Sequence, residues 1–175
     1  MVARACRCSG FTYLTILFVV AIMGAGLALA GEVWYTAAMR EKEAELLYVG
    51  NQFRKAIMLY YERTPGPAKR YPSKLEDLLQ DQRYPTMQRY LRKLYADPMT
   101  GKPEWGLVAA PGGGIMGVYS LSGSTPIKTS GFLARDRTFE GANHFSDWKF
   151  FYSPSPQMAP KPGQVLAPLP AAAQK

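Results

Sequence analysis

A chain of 175 residues holds one modest domain with extensions rather than two full domains. Lys and Arg outnumber Asp and Glu by 21 to 13, a formal charge of +8. The basic residues are interleaved with acids, as in Arg40-Glu41-Lys42-Glu43, and no run reaches the roughly 5–8-residue basic clusters of nucleic-acid-binding segments, so no nucleic-acid partner is expected. The two cysteines, Cys6 and Cys8, both precede Gly10. The chain beyond them therefore has no internal disulfide, and two ligands without a nearby His make a poor metal site.

Residues 1–10 read as a polar leader containing Arg4 and Arg7 and no acid. From Phe11 to Gly31 there is no charged residue, and Glu32 is the first charge after that run. As a helix this span is about 30 Å long at ~1.5 Å per residue, the thickness of a bilayer's hydrocarbon core. The positive-inside rule keeps Arg4 and Arg7 cytoplasmic and places the remainder in the periplasm or outside the cell. Gly24, Gly26 and Gly31 lie within the apolar run. They serve either close helix approach or local unwinding, since Gly weakens a helix by about 1 kcal/mol relative to Ala.

Residues 32–63 contain no Pro, and Leu46, Val49, Phe53, Ile57 and Tyr60 recur at three- and four-residue steps, which makes one apolar face. Arg40, Glu41, Glu45, Gln52 and Glu62 fall mostly elsewhere on the wheel. Thr64-Pro65-Gly66-Pro67 ends the helix, because proline cannot continue the hydrogen-bond ladder. Joined, the two pieces form one helix of roughly 50 residues, nearly 80 Å long.

A small α+β region is expected next. Ser73 and Glu76 form a capping-box pattern that opens a short helix through Leu75, Leu78 and Leu79. A second helical turn is expected through Tyr90, Leu91 and Leu94. Asp97-Pro98-Met99-Thr100-Gly101 is turn chemistry. Strands are expected over Glu104–Ala110 and Ile115–Leu121, joined by Pro111-Gly112-Gly113-Gly114, and over Asp147–Tyr152. From Ser153 the composition turns to Pro, Ala and Gln, so residues 154–175 are expected to be a disordered or polyproline-like tail. The fold class is thus α+β: a long N-terminal helix, half membrane-spanning and half amphipathic, packed on a small antiparallel sheet. The expected divisions are 1–10 leader, 11–31 transmembrane segment, 32–153 periplasmic domain and 154–175 tail.

Two processing signals compete. An ordinary secretory signal would use Arg4 and Arg7 as its basic region and be cut after Ala28-Leu29-Ala30, leaving a soluble periplasmic binding protein that starts at Gly31. The other signal is Gly10-Phe11-Thr12-Tyr13-Leu14 leading directly into the apolar run. It resembles the prepilin signal of type IV pilins and type II secretion pseudopilins. The resemblance implies that a prepilin peptidase cuts between Gly10 and Phe11 and N-methylates Phe11. It also implies that the apolar helix is retained and packs into a filament. Tyr90-Leu91-Arg92-Lys93-Leu94-Tyr95-Ala96-Asp97-Pro98-Met99-Thr100-Gly101-Lys102 looks like the stretch before the sheet of the major pseudopilin. The likeness covers residues 7 to about 121. What it implies is an assembly subunit, single-pass in the inner membrane with its domain in the periplasm. Its partners would be the prepilin peptidase, other pilins or pseudopilins, an inner-membrane platform protein and membrane lipid. A third possibility, a permanent anchor, leaves the leader uncut.

The chain departs from the family at Thr15, where the fifth residue after the cut is usually Glu. In the family that carboxylate neutralises a neighbouring subunit's amino terminus, and an unpaired charge in such a place costs a few kcal/mol. Thr15 offers only a hydroxyl, which points to a minor or initiating subunit. The assembly helix is therefore marked by Phe11, Thr15, Gly24 and Gly31. The family's calcium loop corresponds to Leu121-Ser122-Gly123-Ser124-Thr125-Pro126-Ile127-Lys128, which has no carboxylate, and calcium needs about 6–8 oxygen ligands. No metal or other cofactor is expected, and Asp136 and Asp147 read as surface or turn residues. His144 is the sole histidine and reads as a loop residue. With no nucleophile elbow, phosphate loop or zinc motif, no catalytic residues and no enzyme activity are expected.

Overall fold

The computed structural model describes residues 9–154. A single helix, α1, runs over Ser9–Glu62 without interruption, 54 residues. The two expected helical pieces are one because nothing between them breaks the ladder: the first proline is Pro65. The chain divides into two compact units, one ending at Arg40 and the next starting at Glu41.

In the unit from Glu41, the predicted stripe of α1 is the buried one. Leu46, Phe53 and Ile57 are fully buried, and Val49, Ala56 and Tyr60 nearly so. Each large apolar side chain so buried contributes about 1.5–3 kcal/mol. This stripe faces a three-stranded antiparallel sheet in the order β1 (Gly106–Ala109), β2 (Ile115–Tyr119), β3 (Phe150–Phe151). The hairpin pairs Gly106 with Tyr119 and Val108 with Gly117, with a register shift at Val108/Ala109 before the glycine turn. Phe53 packs on Trp105 with ring centroids 5.2 Å apart. At Gly50 the helix comes so close to β3 that a Cβ would run into the ring of Phe150. Behind β3, Phe139 stacks on Trp148 at 5.5 Å, with Phe132 and Phe145 edge-on to that indole.

Three expectations are corrected in detail. The turn of helix over Leu75–Leu78 is 3-10 in type, and its cap is Asp77, not Glu76: the Asp77 carboxylate accepts the N–H groups of Ser73 and Lys74, each at 3.0 Å. No helical turn forms through Tyr90, Leu91 and Leu94. The amides of Tyr90 and Leu91 donate instead to the Leu78 carbonyl, at 2.9 and 3.0 Å, and Asp81 bridges Gln88. Finally, the strand expected over Asp147–Tyr152 is only Phe150–Phe151, because Phe145–Asp147 closes a 3-10 turn just before it. The expected tail, residues 154–175, lies outside the described residues from 155 onward, as do Arg4, Cys6, Arg7 and Cys8 within 1–8.

Candidate functional site

The apolar part of α1 carries the sequence-predicted site residues. The Gly10–Phe11 bond lies in the helix's first turn, since α1 begins at Ser9. Phe11, Tyr13, Leu14, Ile16, Leu17 and Phe18 are all more than half exposed. The helix α1 is long and apolar enough to cross a membrane. Tyr13 stands near one end of the run and Trp34-Tyr35 at the other, with Trp34 80% exposed. Their 21-residue spacing is about 32 Å along a helix, close to the thickness of a bilayer's hydrocarbon core.

Thr15 does not present a free hydroxyl. Its Oγ1 donates to the carbonyl of Phe11 at 2.8 Å, the back-bond by which Ser and Thr satisfy themselves within a helix. A Cβ built at Gly24, Gly26 or Gly31 meets nothing within 4 Å. No contact inside the described chain requires glycine at those positions.

In the unit from Glu41, buried polar groups fasten loops to the helix. Glu43 lies on the same stripe as Leu46, Gly50, Phe53 and Ile57, and is 3% exposed. Its Oε1 accepts the N–H of Ile127 at 2.6 Å and of Lys128 at 3.3 Å. The loop without carboxylates is thus held by a carboxylate from α1. The signal was present in the sequence as an acid in register with the apolar stripe, and it was missed. Asp97 is fully buried. Its carboxylate accepts from the Met99 N–H at 2.9 Å, the Thr100 hydroxyl at 3.1 Å and the Ser120 hydroxyl at 2.7 Å. Its carbonyl accepts the Gly101 N–H at 2.7 Å, and Gly101 takes φ +71°, which a side chain would strain. The turn chemistry read from the sequence is therefore also the tie between the turn and β2.

Asp136 lies in a turn, the 3-10 helix Ala134–Phe139, but not on the surface. It is 3% exposed and pairs with Arg54 at 2.6 Å, with Arg135 at 3.5 Å on its other oxygen. A buried carboxylate is tolerable because these cations meet it. Asp147 is exposed and accepts the backbone N–H of His144 at 3.1 Å, not its ring. The ring Nδ1 of His144 lies 2.7 Å from the Gly123 carbonyl. His144 is thus a loop residue that ties the 121–128 loop down.

The end of α1 has no basic residue of its own in the last turn, so its carbonyls are met by cations from the following segment. Arg83 donates to the Tyr60 carbonyl at 3.1 Å and Lys69 to the Glu62 carbonyl at 2.8 Å, and the Tyr84 hydroxyl donates to the Arg63 carbonyl. Arg83 also lies over the Tyr60 ring at 3.6 Å and forks onto Asp81 at 2.8 and 2.7 Å. Burial works to raise the Asp81 pKa, but the hydrogen bonds from Arg83 and Tyr90 outweigh it and hold the carboxyl below its ordinary value. The Tyr90 hydroxyl is pushed up to about 12 by burial and by its hydrogen bond to Asp81.

Among the described residues, no group of three or more His, Cys, Asp or Glu side chains comes together to hold a metal ion. Comparison with protein-family models, curated proteins and solved structures finds no match.

Proposed function

We propose that the chain is a pseudopilin-like structural subunit of a type II secretion or type IV pilus-type filament, made as a prepilin and cut between Gly10 and Phe11. The observation that carries this reading is the continuity of α1. One unbroken helix joins an apolar stretch exposed all round to an amphipathic stretch whose stripe is buried under a small sheet. Such a helix serves in a bilayer and can later exchange lipid for neighbouring helices. The reading makes the chain a substrate of the prepilin peptidase and no enzyme itself. Its place is the inner membrane, with the domain from Glu41 in the periplasm.

Thr15 supports a minor or initiating position. Its hydroxyl proton goes to the Phe11 carbonyl of its own helix, and the oxygen that remains as an acceptor carries no charge to neutralise a neighbour's amino terminus. Thr15→Glu is expected to raise incorporation into filaments of the same chain, read by shearing and sedimentation. Unchanged incorporation and position would remove Thr15 from the explanation. The processing reading is tested by co-expression with a prepilin peptidase: the product loses its ten-residue leader, and Gly10→Leu abolishes the loss.

The second reading, a soluble periplasmic protein cut after Ala30, draws on a different observation: the compact domain begins only at Glu41. A chain starting at Gly31 would retain all of it.

A further inference from the structure

We infer that a groove beside α1 is a docking site for an extended, acidic and apolar peptide segment of a partner protein. The groove lies wholly within the unit from Glu41, between the Leu47–Met58 stretch of α1 and the loop from Lys128 to Asp136, with Tyr152 also in its lining. Its volume is about 620 Å³, within the range of pockets that hold ligands. Leu47 to Met58 is eleven residues of helix rise, about 16 Å, which matches about five residues of extended chain at ~3.3 Å each.

Its chemistry is two-sided. Tyr48 and Leu133 stand 60% and 61% exposed on the groove, and the half-buried Phe132 and Met58 share its lining. Together they give the groove an apolar base. Around them the lining holds four cations, Arg54, Lys55, Lys128 and Arg135, against one carboxylate, Asp136. That carboxylate is already engaged by Arg54 at 2.6 Å and Arg135 at 3.5 Å. The groove thus keeps a positive surplus on an apolar base, and the complementary occupant has large apolar side chains between carboxylates. The chain's own residues 155–175 do not fit this description: they carry Lys161 and Lys175 and no Asp or Glu. On this charge complementarity the occupant is assigned to another protein. This inference stands apart from the processing reading, since the groove is present whether or not Gly10–Phe11 is cut.

The test uses the full chain in neutral detergent micelles and two fluorescein-labelled peptides, Asp-Phe-Glu-Leu-Asp and Lys-Phe-Lys-Leu-Lys, followed by fluorescence anisotropy with empty micelles as blank. The acidic peptide is expected to bind saturably and more weakly as salt rises, while the basic one does not bind. The double variant Lys55→Glu with Lys128→Glu, which leaves the Asp136 ion pairs intact, is expected to weaken binding at least tenfold, measured below its thermal transition. The double variant Arg89→Glu with Arg92→Glu, exposed cations outside the groove, is expected to leave it within twofold. Absence of saturable binding, equal binding of both peptides, or equal loss in both double variants overturns the proposal. Displacement of the acidic peptide by a free peptide of residues 155–175 overturns the assignment to a partner in favour of the tail. Self-association of the unliganded chain that Lys55→Glu abolishes overturns it in favour of a second copy.

Discussion

Removing the Glu43 carboxylate tests whether the 121–128 loop is fastened from α1. Glu43→Ala deletes an acceptor that takes the Ile127 N–H at 2.6 Å and, more weakly, the Lys128 N–H at 3.3 Å. A hydrogen bond to a charged group is worth about 1.5–3 kcal/mol, and the longer contact adds little, so the expected loss is about 2 kcal/mol. For a domain of this size that lowers the melting temperature by roughly 8 °C, at about 4 °C per kcal/mol. The assay is thermal unfolding of the full chain in detergent, followed by near-ultraviolet circular dichroism of the buried tryptophans. Glu45→Ala is the matched control: it is the same substitution on the same helix at an exposed position, so its effect should stay within about 0.5 kcal/mol. Hydrogen exchange adds a local readout, in which the Ile127 amide should exchange faster in the Glu43 variant alone. Equal melting temperatures for the two variants, with Ile127 exchange unchanged, would refute the fastening.

Two further substitutions probe the packing and the polar network. Gly50→Ala should cost about 1–3 kcal/mol by overpacking against the Phe150 ring, measured by denaturant unfolding. Gly24→Ala, whose Cβ meets nothing, should leave the same transition unmoved. Because Asp81 is held below its ordinary pKa, its contribution is present above the unfolded carboxylate value near ~3.9 and is lost as pH falls through the lowered folded value. Asp81→Asn should flatten that acid limb of the stability curve. Tyr90, raised to about 12, works at the other limb: its contribution holds below the unfolded phenol value near ~10 and fades as pH rises through 12, which phenolate absorbance during alkaline titration checks.

What the sequence disclosed follows the range of the forces involved. The extent of α1, its buried stripe and its stop before Pro65 were legible because helix periodicity and proline act locally. So was the hairpin, where a glycine-rich turn joins two apolar runs, and so was the Asp97–Gly101 turn. The Tyr90–Leu94 segment misled because its spacing is helical, yet its amides are taken by Leu78, an acceptor more than ten residues away that no local pattern reveals. β3 misled in the same way: alternation over Asp147–Tyr152 marks two faces but not how much of the strand finds a partner. The Arg54–Asp136 pair joins residues 82 apart, and nothing near Asp136 in the chain announces Arg54. Glu43 was the avoidable omission, since an acid on an apolar stripe asks for an explanation from sequence alone. Phe11, Thr15, Gly24 and Gly31, which the sequence singles out, all lie on α1. The structure adds that the Thr15 hydroxyl is internally satisfied, which no pattern could supply.

The central claim concerns the first residue of the mature chain, and intact-mass and fragment-ion analysis of that amino terminus from native membranes tests it most directly. The account predicts a chain that begins at N-methylated Phe11. A chain beginning at Gly31, or one retaining Met1, would contradict it.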